Sequence, residues 1–237
     1  MRRKKIIGID GCPAGWFAVA IRDNASLQAC LYDCIEHLWS AQSDADLILI
    51  DMPVGLADSS RPRRECDRMA RLLLGKRRSS IFSPPIREVL GCDDYESANK
   101  LSRMLSGTGL SVQSWNISRK IGELDCFLRK NRRAVGTFRE SHPELCFMTL
   151  NEMNLPACTK KQPRGVEERL QILSRYMPGL QSFYEHVLGT YTRRDVRRDD
   201  IIDALALAIR GFVAKPLNRL PAKGCYDQEN LPKVIWY

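Results

Sequence analysis

No two of the nine cysteines stand as a C-x-x-C pair, their number is odd, and histidine occurs three times. A disulfide framework and a structural zinc site are therefore excluded as organising principles, and a reducing cytoplasm is the expected compartment. Long apolar runs are missing too. The stretch after the basic start Arg2-Arg3-Lys4-Lys5 is soon broken by Asp10, Gly11 and Pro13, so it fits neither a signal peptide nor a membrane anchor. Internal repeats and low-complexity tracts are absent, which argues against a solenoid. What remains is an ordinary globular composition, 44% hydrophobic and 27% charged over 237 residues. That is enough to bury one full core, and a single domain over 1–237 is expected.

Charge is unevenly spread. The chain carries 37 Lys+Arg against 28 Asp+Glu, a net +9, and the excess gathers at Arg61 to Arg64, Lys76-Arg77-Arg78, Arg129 to Arg133 and Arg193 to Arg198. Clustered cations favour an anionic partner, with nucleic acid, DNA or RNA, as the first expectation, because phosphate contacts supply most non-specific affinity. A solvated charged face is the competing explanation.

Three short β-like runs open the chain, Lys5 to Ile9, Trp16 to Ile21 and Leu27 to Tyr32, separated by turn-rich segments as in an antiparallel meander. A helix-like stretch, Ile35 to Gln42, leads to Leu47-Ile48-Leu49-Ile50, too short for a helix and suited to a buried strand. From about 57 to 133 the sequence turns helical and basic, and it reads as an insertion carried on the core. A further β-like run, Ala134 to Phe138, ends at Glu140. Helical stretches follow near Glu144 to Asn151 and Gly165 to Tyr176, and a last long helix begins at Asp199 with Ile201, Ile202, Leu205, Ala208, Ile209 and Phe212 on its buried side.

The chemistry is carried by acids at the ends of these elements. Asp10 closes an apolar strand beside Gly11, where a carboxylate is held rigidly at the sheet margin; ordinary turn chemistry also places Asp next to Gly. Asp51 closes the second buried strand, and Pro53 stops that strand from continuing. If the two strands are neighbours, their acids lie side by side and repel unless a cation or a proton joins them. Asp199, Asp200 and Asp203 open the long helix. Acids in a first turn complement the helix dipole, and Asp199 suits an N-cap, but this explains Asp203 poorly. Asp200 and Asp203 share a helix face, and the alanines after them let that helix approach a sheet closely. A buried carboxylate there needs a metal or a basic partner. In Glu140-Ser141-His142-Pro143-Glu144, alternation along an extended strand puts Glu140, His142 and Glu144 on one side. Glu140 is a candidate ligand, and His142 and Glu144 are expected behind it.

The order of these pieces resembles a known family. The carriers are Gly8-Ile9-Asp10-Gly11 with Gly15-Trp16, Ile50-Asp51-Met52-Pro53-Val54-Gly55-Leu56, Arg64-Glu65-Cys66-Asp67, Ser79-Ser80-Ile81-Phe82, Gln113-Ser114-Trp115, Lys120-Ile121, the Glu140 to Glu144 segment and Asp199 to Ala208. Together they resemble the family catalogued as domain of unknown function 429, regarded as predicted nucleases of ribonuclease H-like fold. More broadly the chain is similar to Holliday-junction resolvases of the RuvC type, which carry an acid on the first strand, one on the fourth and a D-x-x-D-A-x-A helix. Where those resolvases typically have Glu on the fourth strand, this chain has Asp51, and Ala14 stands where the family often has Gly.

The resemblance implies an α/β fold: a ribonuclease H-like mixed five-stranded sheet with helices on both faces and a helical insertion at about 57–133. It implies a site in which Asp10 bridges two Mg2+ or Mn2+ ions, with Asp51, Asp200 and Asp203 completing their shells and Glu140 as a further catalytic candidate. Hard oxygen donors suit such ions. The expected reaction is two-metal phosphodiester hydrolysis, one ion generating hydroxide and the other stabilising the leaving oxygen. Arg64, Lys76, Arg77, Arg78 and Lys120 of the insertion, together with Arg193, Arg194, Arg197 and Arg198, are the expected substrate-binding cations, with the insertion forming a wall or lid over the carboxylates. A nucleic-acid-binding or partner-binding protein without catalysis, and a phosphotransferase of the sugar-kinase kind, are the alternatives; the second needs a duplicated domain, and no duplication is visible.

Overall fold

Short apolar runs broken by turn residues form the strands, and the computed structural model describes residues 4–213 and 216–237; Arg2 and Arg3 of the basic start lie outside them. In chain order the elements begin with β1 (Lys5–Cys12), β2 (Gly15–Arg22), β3 (Leu27–Tyr32), α1 (Ile35–Gln42) and β4 (Leu47–Ile50). Helices α2 (Glu65–Leu74), α3 (Tyr95–Ser106), α4 (Val112–Asn116), α5 (Ser118–Lys130) and α6 (Arg132–Thr137) come next. Then follow β5 (Phe138–Glu140), α7 (Pro143–Leu150), α8 (Pro163–Ser174), α9 (Leu180–Thr190), α10 (Arg198–Val213) and the two-residue strands β6 (Arg219–Leu220) and β7 (Ile235–Trp236). Among the described residues no helix is long and apolar enough to cross a membrane.

The chain divides into two compact units. One is drawn from Met1–Met52, Gly136–Asn218 and Trp236–Tyr237, the other from Pro53–Val135 and Arg219–Ile235.

The first unit is built on a five-stranded mixed sheet of order β3-β2-β1-β4-β5. The expected meander is present: β1 pairs antiparallel with β2, and β2 with β3. β4 lies parallel to β1, with Ile9 opposite Ile50, and β5 lies parallel to β4, with Ile50 opposite Glu140. Side chains at one level of parallel neighbours point to the same side, and successive levels alternate. One face is covered by α10. Built onto Gly8, a Cβ would lie 2.1 Å from the Ala204 carbonyl oxygen and 2.4 Å from the Ala208 nitrogen, so only a bare glycine admits the helix. The small residues of α10 thus bring it onto β1, as the alanine run implies. On the other face the Trp39 ring of α1 meets Phe138 of β5 at 5.9 Å.

Three expectations need correction. The run from Ala134 is not a strand: Arg132–Thr137 is helical, and the strand is the three residues Phe138–Glu140 that pair with β4. β-branched composition lost there to the local helical turn, as strand propensity does where no partner strand is at hand. Extended backbone also does not run to Glu144, because Pro143, fitted to a first helical turn, starts α7. Asp199 is not a cap but lies within the first turn of α10. In addition, α9 was not anticipated; its start is obscured by Gly179, which adopts φ +77° at the N-cap.

In the second unit the insertion is helical, as expected. Its helices surround a small core of Ala57, Ile86, Val89, Ala98 and Leu110. Helix α3 is bounded as its sequence suggests, with the Asp94 side chain accepting the Ser97 N–H and Gly107 at φ +71° closing it. The Arg87 guanidinium donates to Asp125 at 2.8 Å and to Asp227 at 2.5 Å, and Asp227 also accepts the Leu56 N–H at 2.9 Å. These bonds tie the 219–235 segment to the insertion, which nothing in its composition announced.

Candidate metal centre

Asp10 does not close its strand as expected, because β1 runs on to Cys12 in pairing with β2, whereas Asp51 directly follows the end of β4. The Asp51 N–H donates to the Ile9 carbonyl at 2.9 Å, so Asp10 and Asp51 occupy the level after the Ile9–Ile50 pair, on the face where Gly8 meets α10. Asp203 of α10 arrives from above. One carboxylate oxygen each from Asp10, Asp51 and Asp203 lie within 4.8 Å of one another.

Packing such acids together leaves a signature on their protonation. Burial, then the charges of Asp51, Asp203 and Asp200, push the Asp10 carboxyl well above its ordinary range. Burial lifts Asp51 to about 7, with Lys160 opposing and Glu144 adding. Asp203 rises to about 6, again by burial, against the pull of Lys160. A site that holds protons this firmly is one that a cation relieves.

The other expected residues are placed as follows. Asp200 is buried and lifted by burial to about 6, but it is not in the close group of three. Its Oδ2 accepts the Arg197 N–H at 2.8 Å, the reach-back of a third helical residue that closes a helix start. Glu140, one level behind Asp51, points to the opposite face from Asp10 and Asp51; the residue at their level, just past β5, is Ser141, whose N–H donates to the Ile50 carbonyl. Ser141 Oγ donates to the Trp236 carbonyl at 2.6 Å. His142 caps α7, its Nδ1 accepting the Glu144 N–H at 3.2 Å. Glu144 is buried against the fully buried Arg169 at 2.5 Å. Arg193, Arg194, Arg197 and Arg198 are exposed immediately before and at the start of α10. In the second unit Lys76 and Arg78 are exposed on a 3-10 turn, Arg77 and Lys120 are half-buried, and Arg64 is buried at 3.4 Å from Asp67.

One residue of the centre escaped sequence reasoning. Lys160, in the loop between α7 and α8, places its Nζ 2.5 Å from Asp203 Oδ2 and 3.9 Å from Asp199. Burial opposes its charge, but Asp203, Asp10 and Asp51 outweigh that and hold the ammonium above its usual range. Thr159-Lys160-Lys161-Gln162 is a plain polar loop with no spacing that signals such a role.

Three acids on two parallel strands and one helix, with a lysine among them, define a carboxylate-centred site on an α/β sheet. The chain belongs to a family described as "Protein of unknown function (DUF429)", whose model it matches over residues 8–223. No curated protein and no solved structure matches it.

Proposed function

We propose that this chain is a metal-dependent phosphodiesterase acting on nucleic acid, built on a ribonuclease H-like core. The observation that carries the reading is the convergence of Asp10, Asp51 and Asp203, with oxygens within 4.8 Å and protonation pushed upward in all three. The sheet order and the helix crossing β1 at Gly8 support the fold reading.

The donor set fits a hard cation: three carboxylates from separate rigid elements, and no thiolate or imidazole in the group. Mg2+ or Mn2+ held there would supply an activated water and charge stabilisation for the departing oxygen. Asp10 and Asp51 are fixed by strand pairing, so their carboxylates need no reorganisation to receive a ligand. Asp203 shares its charge with Lys160. Lys160, on a side chain 38% exposed, would be available to donate to a phosphate oxygen were Asp203 engaged by a cation. Asp200 shapes the site by holding the first turn of α10 through the Arg197 N–H. The arginines of that turn supply positive charge for a phosphate backbone.

The test is cleavage of end-labelled single-stranded, duplex and branched DNA and RNA oligonucleotides with Mg2+ or Mn2+. Cleavage should appear with metal, vanish with chelator and vanish in Asp10→Asn. Metal-dependent cleavage that persists undiminished in Asp10→Asn would remove the proposal.

A second reading has its own support. The Lys160–Asp203 pair already neutralises part of the cluster without a metal, as suits a nucleic-acid-binding protein that does no chemistry. Tight, salt-sensitive binding with no cleavage by any metal would favour it.

A further inference from the structure

The motifs Arg64-Glu65-Cys66-Asp67, Ser79 to Phe82 and Gln113-Ser114 take no part in the carboxylate centre. Within the second unit their residues line one cavity of about 750 Å3, in the size range of about 300–1,000 Å3 typical of small-molecule sites. Its lining mixes charged and apolar side chains. It carries Arg63, Arg64, Arg68 and Arg71 together with Glu65 and Asp67. Phe82, Pro84, Ile86 and Leu110 add apolar surface to it.

The arginines are pre-arranged. Arg71 is fixed by donation from Nε to the Ile81 carbonyl at 3.0 Å and from a terminal nitrogen to Ser83 Oγ at 2.8 Å. Arg68 is steadied by Glu65, Arg64 lies beside Asp67 with its side chain 1% exposed, and Arg63 is exposed at the rim. The hydroxyl-rich walls are tied to one another. Ser114 Oγ donates to the Ser83 carbonyl at 2.7 Å, the Ser111 and Ser114 hydroxyls share a bond of 2.7 Å, and Ser102 Oγ donates to the Thr108 carbonyl at 2.8 Å. The cavity is therefore held open by bonds within its walls. Planar guanidinium groups favour phosphate oxygens, and a ring face favours another ring.

We propose that this cavity binds a small organic phosphate of nucleoside-monophosphate size, its phosphate at the Arg63–Arg71 arginines and its ring against Phe82. This proposal does not depend on the nuclease reading.

Calorimetric titration of the full chain with adenosine 5′-monophosphate, in chelator so that no divalent ion takes part, tests it. Binding should show a Kd below about 1 mM, roughly the weakest affinity worth assigning to a built site, and adenosine lacking the phosphate should bind at least tenfold more weakly. Arg63→Glu, at the exposed rim, should cost at least tenfold in affinity, and Ser79→Trp should block entry, both with an unchanged melting temperature. Asp10→Asn should bind as the parent does. The proposal is overturned by absent binding, by adenosine matching the nucleotide, by parent-like affinity in both cavity variants, or by loss of binding in Asp10→Asn.

Discussion

Asp10, Asp51 and Asp203 are costly neighbours, and Lys160 is what the metal-free chain uses to tolerate them. Lys160→Met removes the only cation within hydrogen-bond reach of Asp203 among the described residues. The metal-free protein should then melt lower at pH 8, while Mg2+ affinity should rise about threefold to tenfold, a range held down by the solvent that reaches this side chain. Scanning calorimetry reads the first and calorimetric titration the second, and unchanged affinity would show that Lys160 does not compete for the site. Asp10→Asn acts in the opposite sense. It takes a repelling charge from the cluster at constant size, so the metal-free protein should melt higher. The parent's response to Mg2+, about 2.7 kcal/mol at 100 times Kd, or about 5–10 °C for a chain of this length, should disappear. Differential scanning calorimetry on both proteins, with and without metal, measures it. The raised carboxyls also set a pH trend. With Asp51 near 7 and Asp200 and Asp203 near 6, the folded chain holds protons that the unfolded chain, near its ordinary 3.8, has released. Their contribution to stability is thus whole below about pH 4 and lost as pH rises through 6 to 7. Mg2+ needs these groups ionised, so its stabilising effect should grow across the same interval. Melting curves from pH 4 to 8 in chelator and in Mg2+ should diverge; parallel curves would contradict the assignment.

Among the elements, α10 on β1 governs whether the centre exists at all. Gly8→Ala would press a methyl against the Ala204 carbonyl and the Ala208 nitrogen, backbone atoms that cannot rotate away. The cost should reach about 3 kcal/mol, the upper end of overpacking at about 1–3 kcal/mol, and the displaced helix should carry Asp203 from Asp10. Thermal denaturation should show a lower melting temperature and a weakened Mg2+ response together; a fall in the first alone would mean that the helix yields elsewhere. The close approach of α10 to β1 also explains what the sequence could disclose. A glycine in a buried strand and a helix of alanines are local facts that each point to close approach, and Asp51 and Asp203 follow from a strand end and a helix face, while Asp10 lies inside β1, which hairpin pairing carries on to Cys12. Glu140 stands outside the group of Asp10, Asp51 and Asp203 because facing depends on register: one level decides the side, and the short β5 begins only at Phe138. Lys160 was invisible because a loop reaches its target through tertiary path, which no periodicity records.

Over the whole molecule the net charge of +9 would give an anionic partner a long-range attraction that no single residue controls. Charge reversal of Arg193, Arg194, Arg197 and Arg198 to Glu should weaken binding of a fluorescent oligonucleotide and flatten its salt dependence by about one unit of slope for each phosphate no longer neutralised. An unaltered slope would show that these arginines neutralise no phosphate. The chain path has its own bearing on how the protein is made. The second unit takes Pro53–Val135 and then Arg219–Ile235, while the first reclaims Trp236–Tyr237. During synthesis, which proceeds at about 5–20 residues per second, Arg87 and the Leu56 N–H wait for Asp227 until the last stretch has emerged from the ribosome. Neither half can therefore finish folding while the other is still being translated, and a nascent chain stalled before 219 exposes two unfinished bodies to chaperones and proteases instead of one completed domain followed by another.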